Sequence, residues 1–221
     1  MRRCFVVLLV VLLIVLVPSS VEAKKHKHRH RHHRQSAAQM QGAIPALFAF
    51  VNAPDGPDGL WEGGQQNQAR AQARDGLDWW SRNLPGSQLS WQVAETTVWV
   101  SGDPLTENVT HAAWVDQALG QIGPRTGIIL LFVHNWTTGR TIPYVGGDVE
   151  DYSPGPWSAM TTDFAQYEGD PEFRGLVAHS VGHLFGASHR GGGIMDPDTY
   201  DQAFAANALS DTTVREVGGV R

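Results

Sequence analysis

Three histidines near the end of the chain follow one another at spacings that restrict how the backbone can run between them. His179 and His183 are four residues apart, so on a helix both side chains project from the same side. His189 comes six residues later, and a continuous helix would turn it roughly 120° away from His183. Gly186 lies between them, and a glycine in the left-handed conformation ends a helix and turns the chain back. The spacing therefore predicts a helix that stops near Gly186 and a loop that places His189 opposite the pair.

The residues before the first histidine carry the signals of a helix start. Asp170 can accept a hydrogen bond as the capping residue, Pro171 suits the first helical position, and Glu172 suits the positive end of the helix dipole. Apolar residues then recur at helical spacing and predict one buried face. They are Phe173, Val177, Val181 and Leu184. We therefore expect a helix over residues 171–186, with the two histidines on a second face.

Histidines that meet from a helix and a loop can serve together as metal ligands. Neutral imidazole is a common zinc ligand, and three imidazoles with an open fourth position describe a catalytic-type zinc site. The chain has one cysteine, Cys4, so an all-histidine shell is expected. We predict a Zn²⁺ site formed by His179, His183 and His189. The alternative is a globular domain in which these histidines are incidental, and the zinc content of the purified protein separates the two.

The motif that contains these histidines resembles that of a known protease family. Residues 179–189 read HSVGHLFGASH and are similar to the HExxHxxGxxH zinc motif of the metzincin metalloproteases. Residues 191–197 read GGGIMDP and resemble the methionine turn of that family, in which Met195 would lie beneath the histidines without binding the metal. The ending LSDTTVREV is similar to the reprolysin-like branch, although that branch has cysteines and usually Asp at the position of Arg190.

The resemblance implies both a fold and an activity. It implies an α/β (α+β zincin-like) fold with a mixed, mostly parallel five-stranded twisted sheet, two long helices, the helix over 171–186, the methionine turn and a short C-terminal helix. It implies a zinc metallopeptidase that hydrolyses peptide bonds with a water bound to zinc, and the signal-like N-terminus described below adds that the protein is secreted. The partner would be a peptide or protein held in a cleft by a monomeric enzyme, extended along an edge strand by strand addition.

One position departs from the family pattern. Ser180 stands where the family has glutamate, the general base that takes a proton from the zinc-bound water and hands it to the leaving amine. A serine hydroxyl can hydrogen-bond to that water but cannot act as a base near neutral pH. The relay is typically worth about 10²–10⁴-fold. We therefore predict weak or absent hydrolysis; the alternative is a zinc-binding pseudo-protease that acts as a non-catalytic binding or inhibitory module.

A few other residues are candidates to replace the missing base or to touch a substrate. Glu150, Asp151 and Asp163 lie upstream, where the family forms its cleft wall. Tyr200 lies five residues after the methionine and could reach a substrate carbonyl, although packing or surface exposure is the favoured interpretation. His134 follows an apolar run and is interpreted as a structural histidine.

Hydrophobic periodicity across the rest of the body predicts alternating strands and helices. Strands are expected over residues 44–51, 89–100 and 128–133, a short edge strand over 141–145, and helices over 64–84, 108–119 and 211–217. The first helix has an apolar stripe at spacings of three and four, formed by Ala69, Ala73, Leu77, Trp80 and Leu84. Residues 148–156 are polar with two prolines and predict a loop. This order favours a mostly parallel sheet covered by helices.

The N-terminus has a different composition from the body. Residues 1–23 have the basic start, apolar run and small residues of a secretory signal cut after Ala23, with an uncleaved membrane anchor as the alternative. Residues 24–34 are all Lys, Arg or His, and we interpret 24–42 as a disordered leader. Its alternatives are a linker, a metal-capturing segment, an attachment to an acidic surface, or a segment that folds back onto the acidic body of its own chain. Residues 35–221 carry 9 Arg against 21 acidic residues, which argues against nucleic acid as a partner. The zinc-binding domain is expected over 43–221.

Overall fold

The computed structural model describes residues 39–56, 59–105, 113–136, 156–167 and 169–218. Strands and helices alternate through the first part of this range, and helices follow in the second part. The strands are β1 (Ala43–Asn52), β2 (Ser90–Trp99), β3 (Ile128–Val133) and β4 (Trp157–Thr161), and the helices are α1 (Gly63–Asn83), α2 (Ala113–Ile122), α3 (Pro171–Leu184), α4 (Tyr200–Ala205) and α5 (Asp211–Glu216). The architecture is thus α/β, as the sequence predicts.

The four strands form one sheet in the order β2-β1-β3-β4, and every neighbouring pair is parallel. The expectation of five strands is not confirmed, because the described part of the chain has four. The edge strand expected over residues 141–145 lies outside the described residues. Strand β4 is absent from the sequence prediction. It is five residues long and wholly buried, and a strand buried on both faces lacks the polar–apolar alternation by which strands are recognised.

Two apolar clusters, one on each face of the sheet, form the core. Successive side chains of a strand point to opposite faces, so β1 and β3 contribute to both. The first cluster contains α1 and α3 residues and, from the two central strands, Ala46, Phe48, Phe50, Ile128, Leu130 and Phe132. The second contains α2 residues and, from the same strands, Leu47, Ala49, Val51, Ile129, Leu131 and Val133. The unbroken apolar runs of β1 and β3 follow from this double burial.

The expected helices are present, with shifted ends. The apolar stripe of α1 is buried along its whole length, and α2 ends three residues later than the expected 108–119, while its expected beginning lies outside the described residues. Within the described ranges, three helices have ten residues or more, with lengths of 21, 10 and 14, whereas two long helices were expected. Helix α4 was not anticipated from the sequence. None of the helices in the described ranges has the length and apolar character to cross a membrane.

Helix α1 fixes the position of α3 against the sheet. Gly76 lies where the two helices meet, and a Cβ added there would lie 2.7 Å from the carbonyl oxygen of Arg174 and 2.8 Å from Cβ of Val177. The indole N–H of Trp80 donates to the carbonyl oxygen of Ala178 at 2.8 Å, and both partners are buried. Close backbone approach together with a buried hydrogen bond therefore sets the depth of the helix that carries His179 and His183.

Candidate metal centre

Helix α3 begins with the cap that its sequence predicts. The Asp170 carboxylate accepts a hydrogen bond from the backbone N–H of Glu172 at 2.9 Å, and Pro171 occupies the first helical position. The apolar stripe of the helix, formed by Phe173, Val177, Val181 and Leu184, is buried in the first core cluster. Burial of this stripe orients the helix and turns the face with His179 and His183 toward the loop that follows.

The end of α3 reverses the chain within three residues. The helix ends at Leu184, two residues before the expected end at 186, because Gly186 has a φ of +85° and is already outside the helix. The N–H of Gly186 donates to the carbonyl of His183 at 2.9 Å, and the N–H of Ala187 donates to the carbonyl of Gly182 at 3.0 Å. These two bonds form a Schellman motif, in which the glycine adopts the left-handed conformation that other residues rarely reach. The chain therefore turns back and carries His189 toward the pair on the helix.

The three histidines converge on one point. Nε2 of His183 lies 3.1 Å from Nε2 of His179 and 2.9 Å from Nε2 of His189. His179 is buried, His183 is half-buried and His189 is exposed, so the cluster lies at the surface with one side open. In the described part of the chain, this is the one group of three or more His, Cys, Asp or Glu residues placed to hold a metal ion.

Two of the rings are held by backbone carbonyl oxygens on the side away from the cluster. Nδ1 of His179 lies 2.9 Å from the carbonyl oxygen of Ile194, and Nδ1 of His183 lies 2.9 Å from that of Ala187. A carbonyl oxygen only accepts hydrogen bonds, so each Nδ1 carries the proton and donates it. In the neutral rings, Nε2 then presents a lone pair to the centre of the cluster. Such carbonyl contacts are the usual orienting partners of metal-binding histidines.

The surroundings of His179 keep its ring neutral. The pKa of His179 is lowered to about 4, chiefly by burial and to a smaller extent by the nearby His183 and His189 rings, against the opposing effects of the Ile194 carbonyl and Asp196. A neutral imidazole is the form that binds a metal ion. The local environment thus disfavours a proton at the position where a ligand lone pair is required.

The donor set fits zinc. Nitrogen ligands bind zinc at about 2.0–2.1 Å in tetrahedral geometry, which places neighbouring nitrogens roughly 3.3 Å apart. The two measured Nε2 separations are 3.1 and 2.9 Å, close to that spacing. Lone pairs of neutral rings that face one another at this distance repel, and a cation at their centre removes the repulsion. The three histidines could therefore hold Zn²⁺ and leave a fourth position open.

The segment after the third histidine packs against α3 and contacts the cluster through one carbonyl oxygen. Gly193–Met195 forms a 3-10 turn whose Ile194 and Met195 are buried. The Met195 sulfur lies against α3 at Gly182, where an added Cβ would collide with it. Met195 thus packs against α3 at Gly182, and the Ile194 carbonyl of the same turn orients His179.

The loop that carries the third histidine is held by α5. The N–H and the hydroxyl of Ser188 each donate to the Glu216 carboxylate at 2.7 Å. Ser210 caps this helix by accepting from the N–H of Thr213 at 3.1 Å. Glu216 and the two carbonyls that orient the rings were not identified from the sequence. Glu216 is an acidic residue near the end of a short helix, and nothing in the neighbouring sequence indicates its contact with a residue 28 positions away.

The structure places the remaining candidate residues at different distances from the centre. Ser180 is buried on α3 next to His179. The Tyr200 ring centroid lies 5.5 Å from that of His179, so Tyr200 stands beside the site. His134 is buried after β3 with its ring 4.9 Å from that of Trp61, in keeping with a structural role. Residues 150 and 151 lie outside the described ranges, and residue 163 begins a 3-10 turn.

Known proteins show only limited similarity to this chain. No family model matches the chain, and no curated protein matches it. Among solved structures, the chain is similar to the crystal structure of metalloproteinase-II from Bacteroides fragilis, with 15% sequence identity and a TM-score of 0.41. The similarity covers 69% of this chain and 44% of that protein, so this chain spans less than half of that metalloproteinase.

Proposed function

We propose that the domain is a zinc metallopeptidase-like module that binds Zn²⁺ through His179, His183 and His189 and hydrolyses peptide bonds weakly or not at all. The observation that supports this most directly is the convergence of three Nε2 atoms at separations of 3.1 and 2.9 Å, with two of the rings fixed from behind by carbonyl oxygens. Similarity of residues 179–197 to the metzincin motif points to the same chemistry.

The residues around the centre have separate tasks in this proposal. The three imidazoles hold the ion, and the carbonyls of Ile194 and Ala187 keep the two helical rings in the tautomer that binds it. When bound in such a site, zinc acts as a Lewis acid that activates water and polarises a substrate carbonyl. The open side of the cluster faces solvent near the exposed His189, where a peptide carbonyl can approach.

Proton transfer is the step for which the chain lacks a residue at the expected position. A peptidase must take a proton from the attacking water and give one to the leaving amine. Ser180 occupies the position of the family's general base, and its hydroxyl can exchange hydrogen bonds but cannot hold the transferred proton near neutral pH. The loss of such a relay typically costs about 10²–10⁴-fold in rate, which supports weak or absent turnover.

A non-catalytic role is the second candidate, and Ser180 is the observation that favours it. A site that keeps its metal ligands and loses its base can still bind a peptide. In that case the module acts by binding or inhibition and needs no turnover. The partner in both cases is a peptide or protein, and we propose a monomer.

Export after removal of residues 1–23 is also part of the proposal. N-terminal sequencing of the exported protein would then show Lys24 as the first residue.

The first experiment measures zinc content and cleavage together. We expect purified full-length protein to hold one zinc per chain and to cleave an unfolded protein substrate such as casein slowly or undetectably. Ser180→Glu is expected to retain zinc and to gain about 10²–10⁴-fold in cleavage rate. Addition of a zinc chelator should abolish the gained activity.

The control is Ser180→Glu combined with His183→Ala, which restores the carboxylate and removes a ligand. This double variant should lose both zinc and cleavage. Fast chelator-sensitive cleavage by the wild-type protein would show that the reasoning about the missing base is wrong. A Ser180→Glu protein that holds zinc without cleaving would support the binding module, and a wild-type protein without zinc would refute the metal site itself.

A further inference from the structure

The three histidines differ in how their rings are held. His179 and His183 each have a backbone carbonyl oxygen 2.9 Å from Nδ1. His189 has no such partner among the described residues: its ring meets the rings of the other two histidines and is otherwise exposed. The position of its Nε2 must therefore be set by the backbone that carries it.

That backbone is held on both sides by α5. Before His189, the N–H and the hydroxyl of Ser188 donate to the two oxygens of Glu216, each at 2.7 Å. After His189, Gly191 lies so close to the capping end of α5 that an added Cβ would collide with the Thr213 hydroxyl. One short helix thus contacts both the residue before the turn His189–Gly191 and the last residue of that turn.

The Glu216 contact is the stronger of the two constraints. Hydrogen bonds to a carboxylate are about twice as strong as bonds between neutral groups, and two of them fix direction as well as distance. Glu216 is half-buried, so water competes less for its oxygens than at an exposed site. Its partner Ser188 has an extended backbone, with φ −104° and ψ 159°, directly before the turn that contains His189.

We infer that Glu216 is a positioning residue for the third metal ligand: its carboxylate fixes Ser188 and thereby holds His189 against His179 and His183. The inference rests on the proposed zinc site and assigns to α5 a role that the histidine motif does not contain. Residues that orient a metal ligand through a hydrogen bond typically change metal affinity by 10–100-fold when replaced.

The test compares Glu216→Gln with wild-type full-length protein in a competition between the protein and a chromophoric zinc chelator. Glutamine has nearly the same shape as glutamate, but it lacks the negative charge. Its NH₂ group would also face one of the two Ser188 donors, so that one hydrogen bond is lost. We expect zinc affinity to fall by about 10–100-fold. Asp78→Asn serves as the matched control, because it removes one exposed carboxylate from α1, and it should leave the affinity unchanged.

A double-mutant cycle separates positioning from general destabilisation. In a His189→Ala background the third ligand is absent, so Glu216→Gln should no longer alter zinc affinity. In the zinc-free protein, the Ser188 amide proton should exchange faster with solvent in Glu216→Gln than in wild type. This second readout needs no metal.

Two results would overturn the inference. One is an unchanged zinc affinity in Glu216→Gln, because the carboxylate would then not position the ligand even if exchange at Ser188 became faster. The other is an equal loss of affinity in the wild-type and His189→Ala backgrounds, which would mean that Glu216 acts through the stability of the fold. A wild-type protein that binds no zinc would refute the proposed function, and that outcome differs from both.

Discussion

At His179, burial and hydrogen bonding act on the same imidazole in opposite directions. Burial lowers its pKa to about 4, while the Ile194 carbonyl and Asp196 favour the proton and do not restore the ordinary value. The ring is therefore neutral at pH values where an exposed histidine is partly charged. This is useful for a metal ligand, because zinc and protons compete for the same nitrogen.

This lowered pKa predicts an acid sensitivity of the zinc-free protein. Between pH 6.5 and 4 the unfolded chain binds a proton at residue 179 that the folded protein does not, so the free energy of unfolding decreases as pH falls through that window. The loss should approach about 3 kcal/mol near pH 4. Urea unfolding of chelator-treated protein at several pH values measures it.

The control for this measurement is His179→Gln, which removes the titrating ring. Its unfolding free energy should depend less steeply on pH over the same window, with a difference that corresponds to up to one proton. The rings of His183 and His189 and the carboxylate of Asp196 surround residue 179 in both proteins. Identical pH dependences in the two proteins would contradict the assignment.

At the scale of elements, α3 and the turn after it bring the three histidines of the motif together in space. The helix supplies two histidines on adjacent turns, and the Schellman motif at Gly186 turns the chain back so that the third histidine can meet them. The start, the stripe and the stop of this helix are all local signals, and each could be predicted from the sequence. Helix α5 was also expected, but its contact with Ser188 was not.

The helix stop gives a prediction with a matched control. Gly186→Ala places a side chain at φ +85°, and the left-handed conformation costs a non-glycine residue roughly 1–2 kcal/mol. We expect a loss of that size in the unfolding free energy of the zinc-free protein, together with weaker zinc binding because His189 is displaced. Urea unfolding and chelator competition measure the two effects.

Gly120→Ala is the control, because Gly120 lies in α2 with open space around its Cα and an ordinary φ. Alanine in that position should stabilise the protein by up to about 1 kcal/mol. If Gly186→Ala were as stable as Gly120→Ala and bound zinc normally, the left-handed turn would not be what brings His189 to the site.

At the scale of the whole molecule, the metal centre connects elements that are distant in the chain. Helix α1 sets the depth of α3 through Gly76 and Trp80, while the turn at Gly193–Met195 and α5 hold the loops around it. An ion bound by residues from the helix and the loop would therefore link parts of the fold that are distant in the chain.

Zinc should stabilise the folded protein by mass action. At a free zinc concentration 100 times the dissociation constant, binding adds about 2.7 kcal/mol, which for a domain of this size raises Tm by about 5–10 °C. Calorimetry with added zinc and with chelator measures the shift. His183→Ala should show no zinc-dependent change, and an equal shift in that variant would mean that zinc acts elsewhere on the chain.

The sequence by itself determined the local features: where α3 begins and ends, which of its faces is apolar, and that two histidines share the other face. These follow from interactions between residues a few positions apart, and such interactions are the same in any fold. Tertiary structure decided the features that depend on distant residues. The Ile194 carbonyl behind His179 and the Glu216 carboxylate that holds Ser188 are 15 and 28 residues away from their partners. Strand β4 is a strand because β3 pairs with it. The hydrophobic periodicity of the sequence does not indicate these contacts, because they form only when the folded chain brings the partners together.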